Sequence, residues 1–159
     1  MDFARHNPRR AAEDIATMRF EDPETGVELS WQEQPIEIDF IGLDSTEGKA
    51  AQARFAKAQD QRSKRRKAQR LADMAADQIV AGAEEIEDLR AAFFADMARG
   101  WRNLAYLSDD KADDPDAEPT LLKFSRENAE MFFKTRPWFQ PQVDRFLADR
   151  LHWRRKSGA

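Results

Sequence analysis

Hydrophobic positions in this chain follow two rhythms, a period of two near the start and a helical period later. Met18-Arg19-Phe20 and Val27-Glu28-Leu29-Ser30-Trp31 alternate apolar with polar residues on either side of Asp22-Pro23-Glu24-Thr25-Gly26. That is the pattern of two short strands joined by a turn. After Pro35 the alternation resumes, with Ile36, Ile38 and Phe40 separated by Glu37 and Asp39, and it predicts a third strand with one buried face that ends at Gly42. An antiparallel meander this small needs a helix on its apolar face to be stable.

Asp44-Ser45-Thr46-Glu47 then reads as a helix start, with Asp44 accepting the amide of residue 47 and Glu47 reaching back. No proline follows between residues 45 and 81, and Ala, Gln, Lys, Arg and Asp dominate. Between Phe55 and Leu71 no large apolar residue occurs, a gap of about 24 Å in a helix. A helix polar on every side is expected to project into solvent or to fray in the middle. Gly82 permits a bend. Beyond it Ile86, Leu89, Phe93, Met97, Trp101 and Leu104 recur at intervals of three and four, which predicts one apolar helical stripe, widened by Phe94. An acidic, proline-bearing loop interrupts at 108–120. Ser125 suits the N-cap of a short helix with Ala129, Phe132 and Phe133 on one face. Pro137 stops that helix, and Pro141 fits the first turn of another carrying Val143, Phe146, Leu147 and Leu151.

The chain therefore divides into a flexible tail at 1–16, a β-meander at 17–43, a long charged helix at 44–82, a C-terminal helical domain at 83–153 and a basic tail at 154–159. The fold class expected is α+β, mainly α: a small N-terminal antiparallel β-meander, one long polar helix and a C-terminal bundle of about three helices.

Composition narrows the chemistry more than the architecture. A chain of 159 residues suffices for one domain with a real core, and 35% charged against 41% hydrophobic residues places much of its length in solvated helix or loop. The net charge of −4 implies neither a global basic field nor a strongly acidic one. Absence of cysteine excludes disulfides, thiolate nucleophiles and Cys-based metal sites, and fits a cytosolic setting. No apolar run follows the arginines of Met1 to Arg10 to make a secretory signal, and no 18-residue apolar window spans a bilayer. No membrane partner is expected.

Catalytic vocabulary is sparse. His6 and His152 lie near opposite ends of the chain, and neither a P-loop nor a Gly-rich dinucleotide turn is present. Glu84-Glu85 and Glu87-Asp88 are read as helix-start carboxylates favoured by the dipole. The loop at 108–120 lacks the glycine and the alternating ligands of an EF-hand. No enzyme activity, metal or cofactor is expected. One charge cluster stands out: Arg62, Lys64, Arg65, Arg66, Lys67 and Arg70. It is either a solvated helix face answered by nearby acids or a phosphate-contacting surface, helped then by Arg154, Arg155 and Lys156. No aromatic residues interleave with it to stack bases.

Aromatic residues instead crowd the last third. Burying a Phe is worth roughly 1.5–3 kcal/mol, so Phe132, Phe133, Trp138, Phe139 and Phe146 either close the core or await a partner. Three features in order are Phe40-Ile41-Gly42-Leu43-Asp44-Ser45 before a charged helix, Gly100-Trp101-Arg102-Asn103-Leu104, and Phe124-Ser125-Arg126-Glu127-Asn128-Ala129 followed by Pro137-Trp138-Phe139. Together, over residues 20–153, they resemble the tail assembly chaperones of tailed bacteriophages and prophages. That resemblance implies a protein of the host bacterial cytoplasm that binds the hydrophobic tape measure protein, or another tail protein, until tail tube subunits polymerise around it. Trp101, Phe132, Phe133, Trp138, Phe139 and Phe146 are the expected partner-binding residues, and self-association through the same surface is a further outcome. A nucleic-acid-binding accessory protein using residues 62–70 is the alternative.

Overall fold

A computed structural model describes residues 13–67 and 76–153. The fold is α+β and mainly helical: short antiparallel strands near the N-terminus, then helices. Among the described residues there are seven strands: β1 (Ala16–Arg19), β2 (Ser30–Trp31), β3 (Gln34–Pro35), β4 (Glu37–Phe40), β5 (Ala98–Arg102), β6 (Ala105–Tyr106) and β7 (Thr120–Leu121). The α-helices are α1 (Thr46–Lys67), α2 (Ala76–Met97), α3 (Arg126–Thr135) and α4 (Gln140–Ala148).

The main sheet has the order β1-β4-β5, antiparallel throughout. Alternation sets its register. Ala16, Met18, Ile38 and Phe40 face inward and are buried, whereas Thr17, Arg19, Glu37, Asp39 and Arg102 form a charged ladder on the outer face. Within that ladder Arg102 holds Asp39 with two hydrogen bonds of 2.9 and 3.0 Å, and Thr17 donates to Asp39 at 2.7 Å. Exposed pairs of this kind add little stability, but a slip of one residue would bury them, so they fix pairing. The hydrogen bond to Asp39, with the carboxylate's charge, raises the Arg102 pKa above its ordinary value.

Several expectations are corrected here. The turn at Asp22 to Gly26 exists, closed by Asp22 N–H donating to Val27 O at 2.8 Å and by Gly26 at φ 69°, and its flanks pair through a Glu21–Glu28 bridge and Leu29 N–H donating to Phe20 O at 2.8 Å, but β1 itself takes β4 as its sheet partner. Residues 30–35 form their own hairpin through Gln32 and Glu33, both at positive φ. Trp101 and Leu104 do not extend the helical stripe. The helix ends at Met97, and Trp101 lies on β5 opposite Ile38. Its indole N–H donates to Leu122 O at 2.6 Å. Ser45, not Asp44, caps α1: its hydroxyl accepts from Gly48 N–H at 2.8 Å and donates to Gly42 O at 2.6 Å.

The polar helix does not project. α1 runs antiparallel along α2 through a narrow seam in which Phe55 meets Phe93 at 5.5 Å and Arg54 pairs with Asp96 at 3.3 Å. At the far end Arg62 donates to Gly82 O at 2.9 Å. Gly82 is a notch: any side chain there would coincide with the Arg66 guanidinium. Seam positions 51, 55, 58 and 62 follow three-four spacing, but only Phe55 is large and apolar, so hydrophobicity alone conceals the face.

Of the expected tail at 1–16, residues 1–12 lie outside the described residues, and Ala16 already belongs to β1. Arg70, Leu71 and the basic tail at 154–159 also lie outside them. One core joins the N-terminal strands to the C-terminal helices. Phe20 just past β1, Phe40 from β4, Phe94 from α2, Phe133 from α3 and Leu147 from α4 are all essentially inaccessible to solvent. Phe94, read as a widening of the stripe, is buried more deeply than Phe93, because α2 is covered by α1 on one side and by α3 on the other.

Candidate functional site

The aromatic segment begins where Ser125 caps α3, its hydroxyl accepting from Asn128 N–H at 3.0 Å. Pro137 cannot continue the helix and opens a single 3-10 turn, Pro137–Phe139, that feeds directly into α4. Three residues thus swing the chain around a corner. The sharpness of that corner sends consecutive rings to opposite environments: Phe139 inward at 7% exposure and Trp138 outward at 52%.

The six expected partner-binding residues separate accordingly. Phe133 lies in the deep core against Phe94, with ring centroids 5.7 Å apart. Phe146 packs on Phe40, His152 and Trp153. Trp101 meets Phe124 edge-on at 5.0 Å, with its indole nitrogen already bonded. Phe132 and Phe139 stack on one another at 6.0 Å and Phe20 crosses both, 6.0 Å from Phe132 and 4.9 Å from Phe139. Trp101 and Phe133 also approach Phe132, at 6.2 and 5.3 Å, but Phe133 is fully buried and Phe146 meets a different set of rings, so the six do not form one groove.

They do leave a cleft. A pocket of about 170 Å³ is lined by Phe20, Leu29, Ile36, Leu104, Phe132 and Phe139, with Ala105 and Arg136 completing its wall. Small-molecule sites usually enclose about 300–1,000 Å³, so this one has room for a side chain and not for a cofactor. Phe20, Leu29, Ile36, Leu104 and Arg136 were missed as site residues. For the first three the alternation that marks inner-face strand positions was the available signal. For Arg136 it was a cation set directly before Pro137 within an aromatic run.

A second cavity, of about 190 Å³, lies in the α1–α2 seam between Phe55, Ala58, Leu89 and Phe93. Asp96 closes it by bonding both Arg54, at 3.3 Å, and Arg126, at 2.9 Å. Hydrogen bonding to Asp96, reinforced by Glu130, raises the Arg126 pKa above its ordinary value. The basic cluster is turned partly onto its own chain. Arg65 bonds Glu85 at 2.6 Å, Arg62 approaches the same carboxylate at 3.5 Å, and Lys64 pairs with Asp60 at 3.0 Å.

Among the described residues no group of three or more His, Asp or Glu side chains is placed to hold a metal ion. No described helix is long and apolar enough to cross a membrane. Set beside known proteins, the chain matches no family model, no curated protein and no solved structure.

Proposed function

We propose that this protein is a non-catalytic binding protein that receives an apolar side chain of a helical partner in the cleft between Phe20, Phe132 and Phe139. On the resemblance set out above it acts as a tail assembly chaperone in the host bacterial cytoplasm, and the partner is the tape measure protein or another tail protein. The observation that carries this reading is the cleft itself: a wall of six large apolar side chains left partly open, with Trp138 exposed on the residue next to Phe139. Apolar concavities are the usual anchors of helix-in-groove recognition, and exposed aromatics are common at such contacts.

Phosphate binding through residues 62–70 is the alternative, and the pairing of Arg62 and Arg65 with Glu85 counts against it.

Coexpression with the tape measure protein of the same genome, followed by affinity pull-down, tests the proposal. Copurification is expected with the unaltered chain and a marked loss with Trp138→Asp and with Ala105→Leu, which fills the cleft. Both variants are expected to keep their unfolding midpoint, since Trp138 is exposed and Ala105 faces a void. Undiminished recovery with both variants would overturn the reading.

A further inference from the structure

The docking reading says that the cleft takes an apolar group, and Arg136 indicates what must stand beside that group. Its guanidinium lines the cleft and lies 5.3 Å from the Tyr106 ring centroid and 5.4 Å from that of Phe132. Two aromatic rings flank it, which reduces the rotamer freedom it would lose on pairing. Its backbone is fixed as well. Arg136 caps α3 by donating its N–H to Phe132 O at 3.1 Å, and the following proline keeps it out of helical conformation at φ −132°, ψ 62°.

Arg136 Nη1 donates to the hydroxyl of Thr135 at 2.8 Å, and among the described residues no carboxylate pairs with it. Arg19, Arg54, Arg62, Arg65, Arg102, Arg126 and Arg150 each sit within 3.5 Å of a carboxylate oxygen, whereas Arg90, Arg99 and Arg145, like Arg136, do not among the described residues; what sets Arg136 apart is that it lines the cleft. A guanidinium has five donors in a planar fork, matched in shape and charge by a carboxylate. Beside apolar walls, where competition from water is reduced, that match is stronger than on an open surface.

Resting on the docking reading, we infer that the cleft selects a partner helix in which a Glu or Asp stands one helical turn from the apolar side chain that fills it. Residues three or four apart on a helix lie about 5–6 Å apart at Cβ, so one helix face presents both groups together. Arg136 then sets specificity and the aromatic wall supplies most of the contact.

A surface-displayed library of amphipathic helical peptides, each about five turns long, sorted against the purified protein provides the test. Enriched peptides are expected to share an acidic residue three or four positions from a large apolar one. Arg136→Gln, checked for an unchanged unfolding transition, is expected to weaken them by about tenfold or more. Replacing the acid by its amide in the peptide, with the protein unaltered, is expected to cost the same factor and to cost nothing further against Arg136→Gln. Peptides that lose binding to Ala105→Leu but carry no such acid and ignore Arg136→Gln would overturn the inference and leave docking intact. No enrichment, or binding indifferent to Ala105→Leu, would overturn the docking reading and the inference with it.

Discussion

Gly48, three residues past the cap of α1, shows how tightly the strand-to-helix corner is closed. A methyl group there would fall on the Gly42 carbonyl oxygen and within 2.8 Å of Ser45 Oγ and 2.9 Å of Leu43 O. Replacing glycine by alanine within a helix normally stabilises by up to about 1 kcal/mol. Gly48→Ala is expected to do the reverse, lowering unfolding free energy in urea by about 1–3 kcal/mol, because two of those neighbours are backbone atoms that cannot turn aside. A gain in stability would contradict the corner geometry. A second residue reports on the first turn. The Asp22 carboxylate accepts from the N–H groups of Glu24 at 2.8 Å and Thr25 at 3.1 Å, and these bonds, Glu24 first, lower its pKa. A folded value below the unfolded one means that the turn's gain is fully present above the ordinary carboxylate range and is lost as pH falls through the folded value. An NMR titration is expected to place the Asp22 midpoint below that of an unstructured aspartate.

Elements reveal why some of the fold was legible and some was not. The alternation at Ile36, Ile38 and Phe40 and the Ser125 cap act locally, so β4 and the start of α3 could be read directly. Trp101 could not be assigned by spacing. Phe93, Met97, Trp101 and Leu104 also fit a helix, and the decision lies with β4, whose second edge needs a partner that only β5 supplies. Asn103 at φ 62° ends that strand, its side chain donating to Pro35 O at 3.0 Å. The hairpin β2–β3 was hidden for a different reason: Gln32 and Glu33 adopt the left-handed region without the glycine or asparagine that usually announces it. Along α1, Ala51, Ala58 and the stem of Arg62 do the packing, so the contact face carries almost no hydrophobic signal. The candidate site was legible as a crowd of rings and no further. Which of two successive rings turns outward at Pro137–Phe139 depends on Phe20, more than a hundred positions earlier, which fills the inner side.

At the scale of the whole molecule the core is closed by residues near both ends of the described chain. Trp153 is 2% exposed, meets Phe146 at 5.4 Å and donates its indole N–H to Phe40 O at 3.3 Å, a bond joining positions 113 residues apart. Trp153→Ala is expected to lower stability by about 3–5 kcal/mol, measured by chemical denaturation, with the cleft variants Ala105→Leu and Arg136→Gln far smaller in effect. A loss under about 1 kcal/mol would mean that this end of the chain is an accessory to the core and not a wall of it. The same long-range bond has a consequence during synthesis. A nascent chain that has reached only the acidic loop lacks α3, α4 and Trp153, so Phe20 is without Phe132 and Phe139, Phe40 without Phe146, and Phe94 without Phe133. Closure of the core therefore awaits the final helices, and a ribosome-bound fragment stalled before them leaves those three rings short of their cover.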